Sequence, residues 1–205
     1  MTDKRFFILP LFAIILFCAA GRLQQEPFNV LKQHFENGDV LHAEFKYEYK
    51  DTFTHQTSTN TGTLWISRKQ YKVVNPPKTI FVDGKTSKVY DGDRNRLIIS
   101  KYVKEEDDFA PSRFLNGIDS TYTLVEQKLS GNEYVIKLES QDSFSLYKSI
   151  TIKLNKQYVP GQIKAVDQSN NIITTTFIDA SFIKNKRNFF YITYPDDAKV
   201  IDLRK

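Results

Sequence analysis

Three histidines, His34, His42 and His55, are the side chains best suited to move a proton or bind a transition metal, and their spacing serves neither task. A zinc-peptidase helix needs H-E-x-x-H, and a closed zinc site needs four ligands or an open one three. No G-x-S-x-G elbow presents a serine for acyl transfer. The run YDGDRNRLIISKY opens like a calcium loop, with Asp91, Asp93 and Asn95 at alternate positions. It then places Arg96 where the loop needs glycine and Tyr102 where it needs a bidentate acid, so a tight hairpin is expected instead. Cys18 is the single cysteine and lies in an N-terminal apolar run, which leaves no thiol chemistry for the rest of the chain. The reading is of a protein that is not an enzyme and uses no metal and no cofactor.

One side chain still asks for an explanation. In GTLWISRKQYKVVNPP, Arg68 follows Leu64 and Ile66 at alternate positions, so an unbroken strand puts all three on one face and Trp65 and Ser67 on the other. A guanidinium on an apolar face is costly unless its five donors find acceptors.

The elements that would position these residues are legible from the pattern. MTDKR, then FFILPLFAIILFCAA, then the small Ala19, Ala20 and Gly21 read as a secretory signal peptide over residues 1–20, with residues 21–205 as one domain. The apolar run is short for a bilayer span, which needs about 20 residues, so a retained anchor is the lesser reading. Lipidation of Cys18 is a lesser one too, because Phe17 stands where a small residue belongs. In EPFNVLKQHFENGD, Phe28, Leu31 and Phe35 share one face of a helix that Gly38 ends.

From Val40 the period becomes two. Ala43, Phe45, Tyr47 and Tyr49 alternate with charged residues, as do Tyr134, Ile136 and Leu138, and later Ile150, Ile152 and Leu154. Turn residues follow at short intervals, including Asp83 with Gly84, Asp91 with Gly92, Gly131, Asn155 and Asn170. Sixteen Phe and eleven Tyr suit the same structure. The meander breaks once, at KEEDDFAPSRFLNGID, which reads as a loop carrying a short helix around Phe114 and Leu115. The net charge of +5 is scattered, apart from KNKR at 184–187, so nucleic acid is not an expected partner.

Taken in order, the leader, the amphipathic helix, LWISR, YKVVNPP, TIFVDGKTSKVYD and the terminal FFYITYPDDAKVIDLRK resemble the periplasmic outer-membrane lipoprotein carrier family, LolA. In the C-terminal part the resemblance rests on Phe190, Ile192, Pro195, Val200 and Asp202. It departs at Lys69, where the family often has proline, and in a middle lid helix shortened to PSRFLNG.

The resemblance implies a mainly β protein, an antiparallel sheet curled into an incomplete β-barrel with short lid helices. It also implies a periplasmic carrier of acylated lipoproteins, with an inner-membrane ABC-type release complex and an outer-membrane acceptor as partners. On it, Arg68 is a lid latch, and the lid residues are Phe28, Leu31, Phe35, Phe114 and Leu115. Candidates for the acyl-chain cavity are Phe45, Tyr47, Tyr49, Val82, Ile150, Ile152 and Leu154, chosen by alternation alone, with Leu64 and Ile66 on the face that parity shares with Arg68, and Tyr71 where the family commonly has an aromatic cavity residue. A monomer is expected. A carrier of another lipid or glycolipid, or an envelope scaffold that binds no lipid, remain the alternatives.

Overall fold

Among the described residues, twelve strands form one sheet whose two ends do not meet. The computed structural model describes residues 26–103, 107, 110–115 and 121–204, so the expected signal peptide and Cys18 lie outside the described residues. Helix α1 (Pro27–Glu36) opens the chain. Strands β1 (Asp39–Lys50), β2 (Thr57–Ile66), β3 (Tyr71–Asn75), β4 (Lys78–Val82), β5 (Thr86–Asp91) and β6 (Arg96–Lys101) then meander outward. Helix α2 (Ala110–Phe114) lies in the next connection. Strands β7 (Tyr122–Ser130), β8 (Glu133–Ser140), β9 (Tyr147–Leu154), β10 (Pro160–Asp167) and β11 (Ile172–Lys184) meander back until β11 pairs with β1. A 3-10 turn (Arg187–Phe190) precedes β12 (Lys199–Asp202). The order across the sheet is β12-β6-β5-β4-β3-β2-β1-β11-β10-β9-β8-β7.

That order forces two long crossings. β6 and β7 belong to opposite ends of the sheet, so their connection travels across one face, and its described residues Phe114 and Leu115 are buried in the main core with α1. β11 is central while β12 is an edge strand, so residues 185–198 cross the other face, where Phe190 meets Phe81 and Tyr194 meets Tyr90. FFYITYP therefore lies in this crossing segment, and the next strand comes later, at β12. β12 runs parallel to β6, an exception to the antiparallel meander that the alternating pattern announces.

The sheet curls because its longest strands bend. Between His42 and Glu44 the β1–β11 register shifts, with Asp179 held at φ 50°, the signature of a bulge that increases local twist. Pro27 starts α1, where a missing N–H costs nothing, and Gly38 at φ 80° turns the chain from helix into β1. A ten-residue helix is marginal alone. It persists because Phe28, Leu31 and Phe35 are buried against the sheet, each worth about 1.5–3 kcal/mol.

Gly62 faces Phe45 across the β1–β2 pair, and a Cβ there would stand 2.3 Å from the Val74 carbonyl oxygen and 2.9 Å from the Phe45 ring. Backbone cannot yield as a side-chain tip can. Gly62→Ala is expected to cost about 1–3 kcal/mol by overpacking, and thermal unfolding should show Tm several degrees lower.

Candidate functional site

The concave face is the one the helices cover. Register fixes its membership: Phe45, Tyr47 and Tyr49 on β1 lie beside Gly62, Asn60 and Ser58 on β2, and beside Phe177, Thr175 and Ile173 on β11. Leu64 pairs with Val73, Ile66 with Tyr71, and Tyr71 with Val82. On the other half, Ile163 pairs with Ile152 and Ile152 with Ile136. The main core therefore runs from β4 through β1 to β8 as one apolar surface. All ten cavity candidates belong to it or pack against it, as do Phe28, Leu31, Phe35, Phe114 and Leu115.

Toward β4 this surface is hollow. A cavity of about 340 Å³ has Phe45, Tyr47, Val73 and Ile80 as its apolar lining and Asn60, Asn75 and Lys78 as its polar one. Its volume is at the low end of small-molecule sites, ~300–1,000 Å³. Asn60 and Lys78 are exposed, so the polar part is the mouth. A second hollow of about 550 Å³ lies on the opposite face, between the backs of β4–β6 and the crossing segment at Phe190, Ile192 and Tyr194.

Arg68 lies in the β2–β3 turn, just past the end of β2. β2 stops at Ile66, and Ser67 ends it by donating its N–H to the Gln70 carbonyl at 2.8 Å and accepting the Gln70 N–H on its hydroxyl at 3.1 Å. Parity no longer holds beyond that turn, and Arg68 is exposed within it, engaged by another residue rather than free. Trp65 lies on the outer face as expected, with the Lys72 ammonium 4.9 Å from its ring and His42 tilted against it at 5.0 Å. Burial pulls the Lys72 pKa down.

The residue that sequence reasoning passed over is Asp107. It lies in the β6–β7 connection with only 8% of its surface exposed, and one carboxylate oxygen accepts the Tyr71 hydroxyl at 3.1 Å while the other accepts the Tyr102 hydroxyl at 2.7 Å. Arg113 of α2 reaches its carbonyl at 3.5 Å. Hydrogen bonds thus tie the segment that crosses the concave face to Tyr71, a residue of that face. Four acids in a row gave no sequence signal as to which one turns inward.

α1 has its own tie. His34, in its last turn, stacks on Phe182 at 4.1 Å and donates from Nδ1 to Asp39 at 3.0 Å, while Lys184 donates to the other Asp39 oxygen at 2.6 Å. The Lys184 hydrogen bond first, then that of His34, holds the Asp39 carboxyl below the usual carboxylate range. A lowered folded-state pKa means that this contribution is present above the unfolded-state value and is lost as pH falls through the folded one. Asp39→Asn should therefore lower stability by up to about 1 kcal/mol near neutrality, Lys184 being exposed. Melting curves of the two proteins should converge as the pH drops below about 4. The remaining histidines are placed apart, His42 on the outer face and His55 in the β1–β2 turn.

No functionally curated protein matches the sequence. Among solved structures, the fold is similar to that of an uncharacterized conserved protein from Thermus thermophilus. That match has a TM-score of 0.53 at 13% identity and covers 85% of this chain and 98% of that one. A LolA superfamily protein from Nitrosomonas europaea matches with a TM-score of 0.43 at 10% identity, over 80% and 97% of the two chains. The MucA/MucB complex from Pseudomonas aeruginosa matches with a TM-score of 0.45 at 13% identity, over 82% and 60%. The first of these speaks for the fold alone; membership comes from the sequence itself. Residues 36–193, most of the chain and the whole span from the end of α1 to the crossing segment, match the family described as outer membrane lipoprotein carrier protein LolA, and the chain belongs to that family.

Proposed function

We propose that the protein is a periplasmic carrier that holds the acyl chains of lipoproteins against the concave face and moves them from the inner to the outer membrane. The observation that supports this most is the way the apolar face is closed. A large apolar surface running from β4 through β1 to β8 is covered, among the described residues, by two helices of ten and five residues and not by a second layer, and the connection carrying α2 is tied to it through Asp107. Such a cover can leave without unfolding the sheet, and what it leaves behind is apolar.

The energetics favour a cover that competes. Each buried methylene is worth about 0.8 kcal/mol, so an acyl chain of ordinary length gains on the order of 10 kcal/mol. Hydrogen bonds to a charged group contribute about 1.5–3 kcal/mol each, and those made only in the closed state weaken cargo binding enough to permit its release. Arg68 joins this scheme as a latch acting from the β2–β3 turn. An inner-membrane ABC-type release complex and an outer-membrane acceptor would complete the route.

Mass spectrometry of what copurifies from the periplasm tests the reading. Triacylated lipoproteins on the protein, enriched on Arg68→Leu, are expected. Free lipid without protein would point to another lipid as cargo, and no amphiphile on either protein would refute the carrier.

A further inference from the structure

Two phenylalanines are thrown into solvent by the same local device. Phe53 is 93% exposed and Phe144 is 95% exposed, and each is the third residue of an Asp-Thr/Ser-Phe triplet in a hairpin turn, at 51–53 and 142–144. In both, the aspartate side chain accepts the phenylalanine N–H: Asp51 at 2.9 Å, with Thr54 also donating at 2.8 Å, and Asp142 at 2.8 Å. An Asx turn of this kind fixes the backbone, and with it the outward direction of the ring.

The two turns belong to one rim. Strand direction puts the β1–β2, β10–β11 and β8–β9 turns at the same end of the sheet, with the β10–β11 turn between the other two. That middle turn is bonded to both neighbours. Thr52 donates its N–H to Asn171 at 3.0 Å and its hydroxyl to the Asn170 carbonyl at 2.7 Å, while Gln168 donates to the Ser145 carbonyl at 2.9 Å and Lys148 to the Asn170 side chain. The tips stand about 19 Å apart along the sheet, four strand spacings. The β3–β4 turn, beside the polar mouth of the concave cavity, points the same way.

A large apolar side chain that folding leaves wholly in water gains only when something buries it. Two single rings on separate rigid prongs make no continuous patch that a flat protein surface could match. A fluid surface can receive both at once. The charged groups around the prongs are Lys50 and Lys148 against Asp51, Asp142 and Asp167, a near balance that offers no strong attraction to one sign of headgroup.

We propose that this rim docks on a lipid bilayer, with Phe53 and Phe144 entering the interface and the mouth of the concave face turned toward the membrane. The docking stands apart from the identity of the cargo and from acyl binding in the cavity.

Flotation of the purified protein with phosphatidylcholine vesicles tests it. The wild type is expected to float, with Phe53→Ser and Phe144→Ser each weakening partitioning about tenfold and the double variant abolishing it. High salt should change little. Both residues are exposed, so Tm should hold, and binding of a soluble fluorescent acyl probe should be unchanged, which separates failure here from failure of the carrier reading. A wild type that stays in solution would overturn the proposal, as would a double variant that still floats. Binding that requires anionic lipid and disappears in salt would do the same.

Discussion

Phe114→Ala is expected to free the segment that crosses the concave face while leaving the sheet folded. The Phe114 ring is 1% exposed, set edge-on to Tyr122 at 5.0 Å and to Tyr147 at 5.8 Å. Truncating a buried phenylalanine costs about 3–5 kcal/mol if the site stays closed. A five-residue helix does not persist without docking, so the cheaper response is for α2 to undock, and the fall in global stability stops at the cost of undocking. Hydrogen exchange should show the Leu115 amide, bonded to the Pro111 carbonyl at 3.3 Å, losing protection while β8 and β9 keep theirs. A protein already open no longer sets part of the binding energy against opening, so a soluble acyl probe should bind about tenfold or more tightly.

Asp107→Ala should act in the same direction through polar contacts. It removes the acceptor of both Tyr71 and Tyr102. At about 1.5–3 kcal/mol for each bond to a charged acceptor, less the relief of no longer burying the carboxylate, the closed state should lose about 2–4 kcal/mol. Tyr71→Phe and Tyr102→Phe each remove one bond and should each do less than Asp107→Ala. Probe dissociation rates measured across the series give the check: release should slow most in Asp107→Ala. A series in which Tm falls but probe kinetics do not move would make the cluster a packing feature and nothing more.

These contacts also show which parts of the molecule were legible from its sequence. Parity along a strand is a local property, so alternation was enough to place Phe45, Leu64, Ile66, Ile150 and Ile152 on one surface, and helical spacing did the same for Phe28, Leu31 and Phe35. The same rule reaches no further than Ile66, because Ser67, bonded to the backbone of Gln70, ends the strand just before Arg68. Ser67 was the available signal.

The aromatics Phe189, Phe190, Tyr191 and Tyr194 suit a strand, yet they stand in the crossing segment 185–198. Its course depends on β12 finding β6 rather than a sequence neighbour, and pairing at that distance leaves no periodic trace. Asp107 is the harder case. What distinguishes it from the acids beside it is the arrival of Tyr71, 36 residues earlier in the chain, and that is a fact of the fold.

Photo-crosslinking in the periplasm puts the central claim, that the concave face holds acyl chains, to its most direct test. A photoreactive residue at Tyr47, Val73 or Ile80 lines the cavity on that face, whereas one at Lys88 or Ile99 lines the hollow on the opposite face. Capture of acylated lipoprotein from the first three positions and not from the other two is the predicted result. Capture confined to Lys88 and Ile99, or no acylated product from any position, would contradict it.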